Sequence, residues 1–180
     1  MRVISGSARG TLLISPKSEE TRPTTDRVRE NIFNLIQFSV AGRDVLDLFA
    51  GSGAMGIEAL SRGASSCVFV DSLKDALSTI NKNIVKTRFD ENSKVYHNSF
   101  DNFLNNENKE YSLVFLDPPY HKGYVNEALK LLVKNNLLSD DAIIVCECDH
   151  DEEVVFPESL TKATEKLYGR VKITILRKEL

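Results

Sequence analysis

Val45-Leu46-Asp47-Leu48-Phe49-Ala50-Gly51-Ser52-Gly53-Ala54-Met55-Gly56 decides the fold of this chain. A β-type run, Val45–Phe49, meets glycines in G-x-G-x-x-G spacing, and a helix-forming segment, Ala54–Arg62, follows at once. That order gives a strand, a tight turn and a helix whose N-terminus faces a ligand. Working outward, Gly63 closes the helix, and Cys67–Val70 reads as a second strand ending at Asp71. Leu73, Ala76, Leu77, Ile80 and Ile84 recur at helical spacing within Leu73–Lys86. Strands follow at Lys94–His97, Tyr111–Leu116 and Ala142–Glu147, with a helix over 124–134. Alternating strands and helices imply an α/β, doubly wound, mostly parallel sheet. Thr161–Tyr168 and Arg170–Arg177 flank Gly169 and read as an antiparallel hairpin added to that sheet.

Upstream, residues 1–43 form an N-terminal extension, and 44–180 form the main domain. Arg2–Ser5 and Thr11–Ile14 around Gly6–Gly10 read as a small hairpin. Residues 15–24 are polar and form a loop. Thr24 or Thr25 caps a helix reaching about Phe38, with Val28, Ile32, Phe33, Leu35 and Ile36 along one side.

Net charge is −3, unpromising for a nucleic-acid binder, but its distribution is uneven. Residues 1–43 hold seven Lys/Arg against four Asp/Glu, and residues 44–180 hold sixteen against twenty-two. A basic leader on an acidic body can contact phosphates through the leader. No apolar run has the length of a membrane span, and Met1–Gly6 does not resemble a signal peptide, so a cytoplasmic location is expected. Cys67, Cys146 and Cys148 lack metal-site spacing and read as small buried thiols; no metal is expected. His97, His121 and His150 have no evident partners in the sequence.

In doubly wound sheets ligands bind beyond the carboxyl ends of the strands. Asp47, Phe49, Gly51, Gly53, Asp71 and Asp117-Pro118-Pro119-Tyr120 fall there. Asp71 can accept hydrogen bonds from ribose hydroxyls. Asp47 would repel a pyrophosphate but favours a cationic amine, which argues for S-adenosylmethionine over NAD. The two prolines end the strand and remove backbone donors. The resulting loop offers a carboxylate, carbonyl acceptors and a ring, the groups that a flat base with an exocyclic amine requires.

With these motifs read, the chain resembles the class I S-adenosylmethionine-dependent methyltransferases that carry a DPPY loop. More narrowly, it resembles the RsmD-type bacterial 16S rRNA guanine-N2 methyltransferases. The resemblance is carried by Arg2–Gly6, Arg9-Gly10, Arg22-Pro23-Thr24-Thr25-Asp26-Arg27-Val28-Arg29-Glu30, Asp47–Ala64, Phe69–Asp71, Phe115–Tyr120 and Gly169. It implies a Rossmann-like fold and methylation of one guanine in small-subunit rRNA, the guanine-966 type of site. It also implies that bound ribosomal proteins supply part of the docking surface. Asp117, Pro118 and Tyr120 are then the catalytic candidates. Asp47, Phe49, Gly51, Gly53, Asp71, Ser72, Ser99, Phe100 and Asp117 are the cofactor-binding candidates. Arg22, Thr25, Arg27, Arg29 and Tyr120 are the substrate-binding candidates. Asn98-Ser99 stands where the family usually has an Asp at the adenine end of the cofactor; Ser99 or a nearby amide substitutes, with Asp101 close by. Lys172 is atypical for the last hairpin. The alternatives are an amino-methyltransferase acting on adenine N6 or cytosine N4, a non-catalytic RNA-binding protein, and a nicotinamide oxidoreductase.

Overall fold

The computed structural model describes residues 1–15 and 25–178. Seven strands form one sheet: β1 (Asp44–Asp47), β2 (Ser66–Asp71), β3 (Ser93–His97), β4 (Tyr111–Leu116), β5 (Leu138–Asp149), β6 (Leu160–Tyr168) and β7 (Val171–Lys178). Their order is β3-β2-β1-β4-β5-β7-β6. The first five run parallel, and β7 pairs antiparallel with both β5 and β6. The sheet winds outward from β1 toward β3, then returns to its other side through β4. The switch point thus lies between β1 and β4, where a doubly wound sheet opens its ligand crevice.

Each strand alternates between two cores. Val45, Phe69, Leu113, Phe115 and Ile143 pack on one face with α1 (Asp26–Ile36), α2 (Ala54–Ser61) and α3 (Lys74–Thr87). Leu46, Val68, Val114, Leu116 and Ile144 pack on the other with α4 (Phe100–Asn106) and α5 (Tyr124–Lys134). Cys146 and Cys148 belong to this second core as free thiols. No described helix is long and apolar enough to cross a membrane.

The N-terminal arm makes a single antiparallel bridge, Arg2 to Leu12, rather than two strands. Its backbone is held by α2. Glu58 accepts from the amides of Ile4 and Ser5, at 2.8 and 3.0 Å, and Ser61 Oγ accepts from Ala8 at 3.0 Å. Gly6, at φ +84°, lies so close to Ser61 that a Cβ there would stand 1.7 Å from its carbonyl oxygen. Thr25 is the cap of α1: its Oγ1 accepts from the Val28 amide; Thr24 lies outside the described residues. Leu35 and Leu73, placed on apolar faces by their spacing, are partly exposed.

α4 was not expected from the sequence. Its segment, Phe-Asp-Asn-Phe-Leu-Asn-Asn, is rich in asparagine, a weak helix former. Buried Phe103 and Leu104 hold it against the sheet. At the far end, buried Lys172 donates to the carbonyls of Glu152 and His150 and so ties down the loop after β5.

Candidate active site

The glycine turn carries β1 into α2. Gly53, at φ +78°, is the helix cap, and Gly56 sits against β2: a Cβ there would stand 2.4 Å from the Phe69 ring and 2.6 Å from Cys67 Sγ. The third glycine therefore serves helix-on-strand packing, while the turn faces the crevice. Asp47, at the end of β1, is buried, and its Oδ2 accepts from the Gly56 amide at 3.0 Å. Burial pushes its carboxyl up to about 7; that hydrogen bond opposes the shift, and nearby Asp71 adds to it. A buried carboxyl so raised favours a cationic partner.

Asp71 ends β2. Its Oδ2 accepts from the Gly51 amide at 2.8 Å and its Oδ1 from the Leu73 amide at 2.9 Å. Both oxygens are thus fixed in direction, with lone pairs remaining for hydroxyl donors. The Asn98 amide donates to the Asp71 carbonyl at 3.1 Å and joins the loop after β3 to that corner. Beside it, a hydrogen bond from the Ser99 hydroxyl holds the Asp101 carboxyl below its usual range.

These groups line one cavity of about 690 Å³ at the carboxyl ends of β1 and β4, within the range of small-molecule sites. Asp47, Phe49, Gly51, Asp71, Ser72, Ser99, Phe100, Asp117, Pro118 and Tyr120 all contribute to its wall. Gly53 does not; it faces Phe69, Ile57 and Ile80. An aromatic group forms part of the cavity. Phe49 and Tyr124 are parallel to within 4° at 6.2 Å, and Phe100 lies 5.1 and 5.0 Å from them. Tyr124 was missed by sequence reasoning. It opens α5 directly after Gly123, which takes a left-handed conformation, φ +71°; an aromatic following a turn glycine near the DPPY loop was the available signal.

β4 ends at Leu116, and the proline loop follows without regular structure. Pro118 is buried, and the Tyr120 hydroxyl donates to Glu147 Oε1 on β5 at 2.9 Å. This bond ties the loop to the neighbouring strand. His121 continues the anchoring: its amide donates to Glu152 at 2.9 Å, and its Nε2 lies 3.4 Å from Asp149. Asp149 also meets Arg170 and His150, and these bonds, with that of His150 foremost, hold its carboxyl well below the usual carboxylate range. His97 Nε2 lies 3.0 Å from the Ser72 carbonyl. All three histidines therefore have partners, contrary to the sequence expectation.

Thr25 and Arg27 stand apart from the first cavity, on the wall of a second one that also includes Tyr120. Arg22 lies outside the described residues. Arg29, expected among phosphates, is a correction. Its side chain has no exposure; it donates to the Arg2 carbonyl and to Asp26 (2.9 Å) and lies 3.9 Å from Glu58. Helical rotation turns it inward, beside Val28, Ile32 and Phe33. Desolvation lowers its affinity for a proton, and the facing carboxylates resist that shift.

The family described as conserved hypothetical protein 95 matches residues 1–177. Ribosomal RNA small subunit methyltransferase D of Escherichia coli K12 is 34% identical over 180 residues, covering 99% of this chain and 90% of the relative. The protein of that name from Haemophilus influenzae is 37% identical over 174 residues, covering 95% and 90%. The solved structure of Escherichia coli yhhF superposes with a TM-score of 0.91 at 33% identity, covering 99% of this chain and 98% of that one. On sequence, fold and the arrangement of its motifs, the chain belongs to the RsmD-type family of class I methyltransferases.

Proposed function

We propose that this protein is an S-adenosylmethionine-dependent methyltransferase acting on the exocyclic N2 of a guanine in 16S rRNA, within the small ribosomal subunit and hence in the cytoplasm. One observation carries the reading: a buried carboxyl, an amide-anchored carboxylate and the proline loop converge on one cavity. The relatives named above, ribosomal RNA small subunit methyltransferases, support the substrate class.

The cavity fits the cofactor by its donor set. Asp71 accepts the ribose hydroxyls, Asp47 faces the cationic end, and the Phe49–Phe100–Tyr124 group gives the adenine an aromatic surface. Ser72, Ser99 and Gly51 complete the polar rim. When bound, S-adenosylmethionine supplies an electrophilic methyl group on a sulfonium.

The chain's own work is positioning. Asp117 and the Pro118 carbonyl accept hydrogen bonds from the guanine amine, which keeps its lone pair directed and stabilises positive charge developing on N2. Tyr120, braced by Glu147, stacks on the base turned out of its helix. The extension, residues 1–43, contacts RNA through Thr25, Arg27 and Arg22, while Arg29 anchors it from inside.

Tritiated methyl transfer to undermethylated small subunits, with free rRNA, DNA and protein as competitors, tests the reading. Nucleoside mapping should return N2-methylguanosine. Label in N6-methyladenosine or N4-methylcytidine would overturn the base assignment, and no transfer to small-subunit RNA would overturn the substrate.

A further inference from the structure

Tyr120 is shared between two cavities. Beyond it lies a second hollow of about 560 Å³, built from places far apart in sequence: the start of α1, the end of β5 at Glu147, and the β6–β7 hairpin turn. Thr25, Arg27 and Asn31 line one side, Tyr168 and Arg170 another, and Tyr120 with Glu147 the boundary toward the active cavity. From this we infer that the second hollow is a subsite for the nucleotide next to the target base. Arg27 and Arg170 take its phosphates and Tyr168 stacks on its base. The inference rests on the RNA-methylating reading above and extends it to the C-terminal hairpin.

Four observations support the assignment. First, the volume falls within the ~300–1,000 Å³ of small-ligand sites. Second, two arginines come from opposite ends of the chain to one hollow in a protein of net charge −3. Arg27 is exposed and makes no ion pair among the described residues. Arg170 is 65% exposed and uses one nitrogen to hold Asp149 at 2.8 Å, which leaves further donors of its five-donor fork. Third, the lining combines cationic and polar groups with the rings of Tyr120 and Tyr168, the two kinds of group that single-strand sites use to follow the backbone and stack a base. Asn31 adds an amide that can pair with a base edge. Fourth, the Tyr120–Glu147 bond stands at the border of the two hollows. A base entering the active cavity and its neighbour entering the second would lie on either side of one braced ring. This arrangement recognises a splayed dinucleotide of single-stranded RNA.

The test uses the full-length protein carrying R27Q/R170Q, alongside R170K, Tyr168→Ala and Tyr168→Phe. Two assays are run: methylation of undermethylated small subunits, and binding of a fluorescent single-stranded oligoribonucleotide across a salt series. The double variant should raise KM at least tenfold, by more than it lowers kcat. Its log–log salt slope should shrink by about 1.4, two phosphate contacts at ~0.7 each. R170K and Tyr168→Phe should retain most of the affinity that R170Q and Tyr168→Ala lose. A wild-type KM and salt slope in the double variant would overturn the subsite while leaving the methyltransferase reading intact. If the wild type does not methylate small subunits, that reading fails, and the oligoribonucleotide slope still decides the subsite. If the double variant does not fold, R27Q alone carries the test, with an expected slope change of about 0.7.

Discussion

The Gly56 amide donates to Asp47 Oδ2 across 3.0 Å and ties the end of β1 to the first turn of α2. This bond makes one carboxyl both a helix-terminus acceptor and the most buried acid of the site. The two duties conflict when the site holds no cation: the acceptor role favours ionisation, burial opposes it, and burial prevails.

The conflict predicts a pH signature. The Asp47 carboxyl titrates at about 7 in the folded chain and at about 4 when unfolded. Between these values the native state retains a proton that the unfolded chain has released. Stability therefore falls as pH rises from about 4 to about 7, then levels off. Asp47→Asn removes this penalty while keeping an oxygen for Gly56. Its Tm should exceed that of wild type by a margin that widens from pH 5 to 7.5, and the unfolding free energy should differ by on the order of 2–4 kcal/mol at the top. Calorimetry should show S-adenosylmethionine binding weakened at least tenfold in the same variant. Parallel Tm curves would remove Asp47 from this role.

Glu58 should be the strongest stability determinant outside the apolar core. It is buried and accepts from Ile4, Ser5 and Arg62 while facing Arg29. Glu58→Ala leaves the Arg29 guanidinium buried with less compensation, a loss of about 3–5 kcal/mol. Urea unfolding measures it, and hydrogen exchange should quicken at Ile4 and Ser5. Protection unchanged at those amides would mean that the arm is held by other contacts.

Asp71 anchors two loops through separate oxygens. Asp71→Ala removes both anchors and the ribose acceptor, so the Kd for S-adenosylmethionine should rise by two orders of magnitude or more, at about 1.4 kcal/mol per tenfold. Asp71→Asn retains one acceptor and should lose less. Equal Kd values for wild type and Asp71→Ala would exclude the ribose contact.

The proline loop separates ring from hydroxyl. Tyr120→Phe loses the hydroxyl bond to Glu147 but keeps the ring, and should keep kcat/KM within about tenfold, at roughly 1 kcal/mol. Tyr120→Ala loses the stack, worth ~1–3 kcal/mol, and should fall further. Equal losses in both variants would make the hydroxyl, not the ring, the functional group.

Asp117→Ala should lower kcat about 10²–10³-fold at saturating cofactor, the size expected for one acceptor directed at developing charge. Methylation of small-subunit RNA near the wild-type rate by a folded Asp117→Ala protein would remove that role.

Much of this was legible in order along the chain. Strand and helix alternation from Asp44 to Glu147 follows from local period and glycine spacing, and Tyr111–Leu116 and 124–134 needed no adjustment. The crevice residues Asp47 and Asp71 each end a strand and Asp117 directly follows one, so topology alone groups them. Local patterns also fixed the terminal hairpin around Gly169. Tertiary structure decided the rest. Arg29 reads as a surface cation in sequence, yet it is neutralised inside the fold by Asp26 and by Glu58, twenty-nine residues away. α4 forms despite its asparagines because Phe103 and Leu104 gain burial there. Tyr168 and Arg170 face Arg27 only because β7 inserts between β5 and β6. Sequence period encodes which face a residue takes within its own element; charge compensation, burial of a weak helix and the walls of a cavity depend on which elements the sheet brings together.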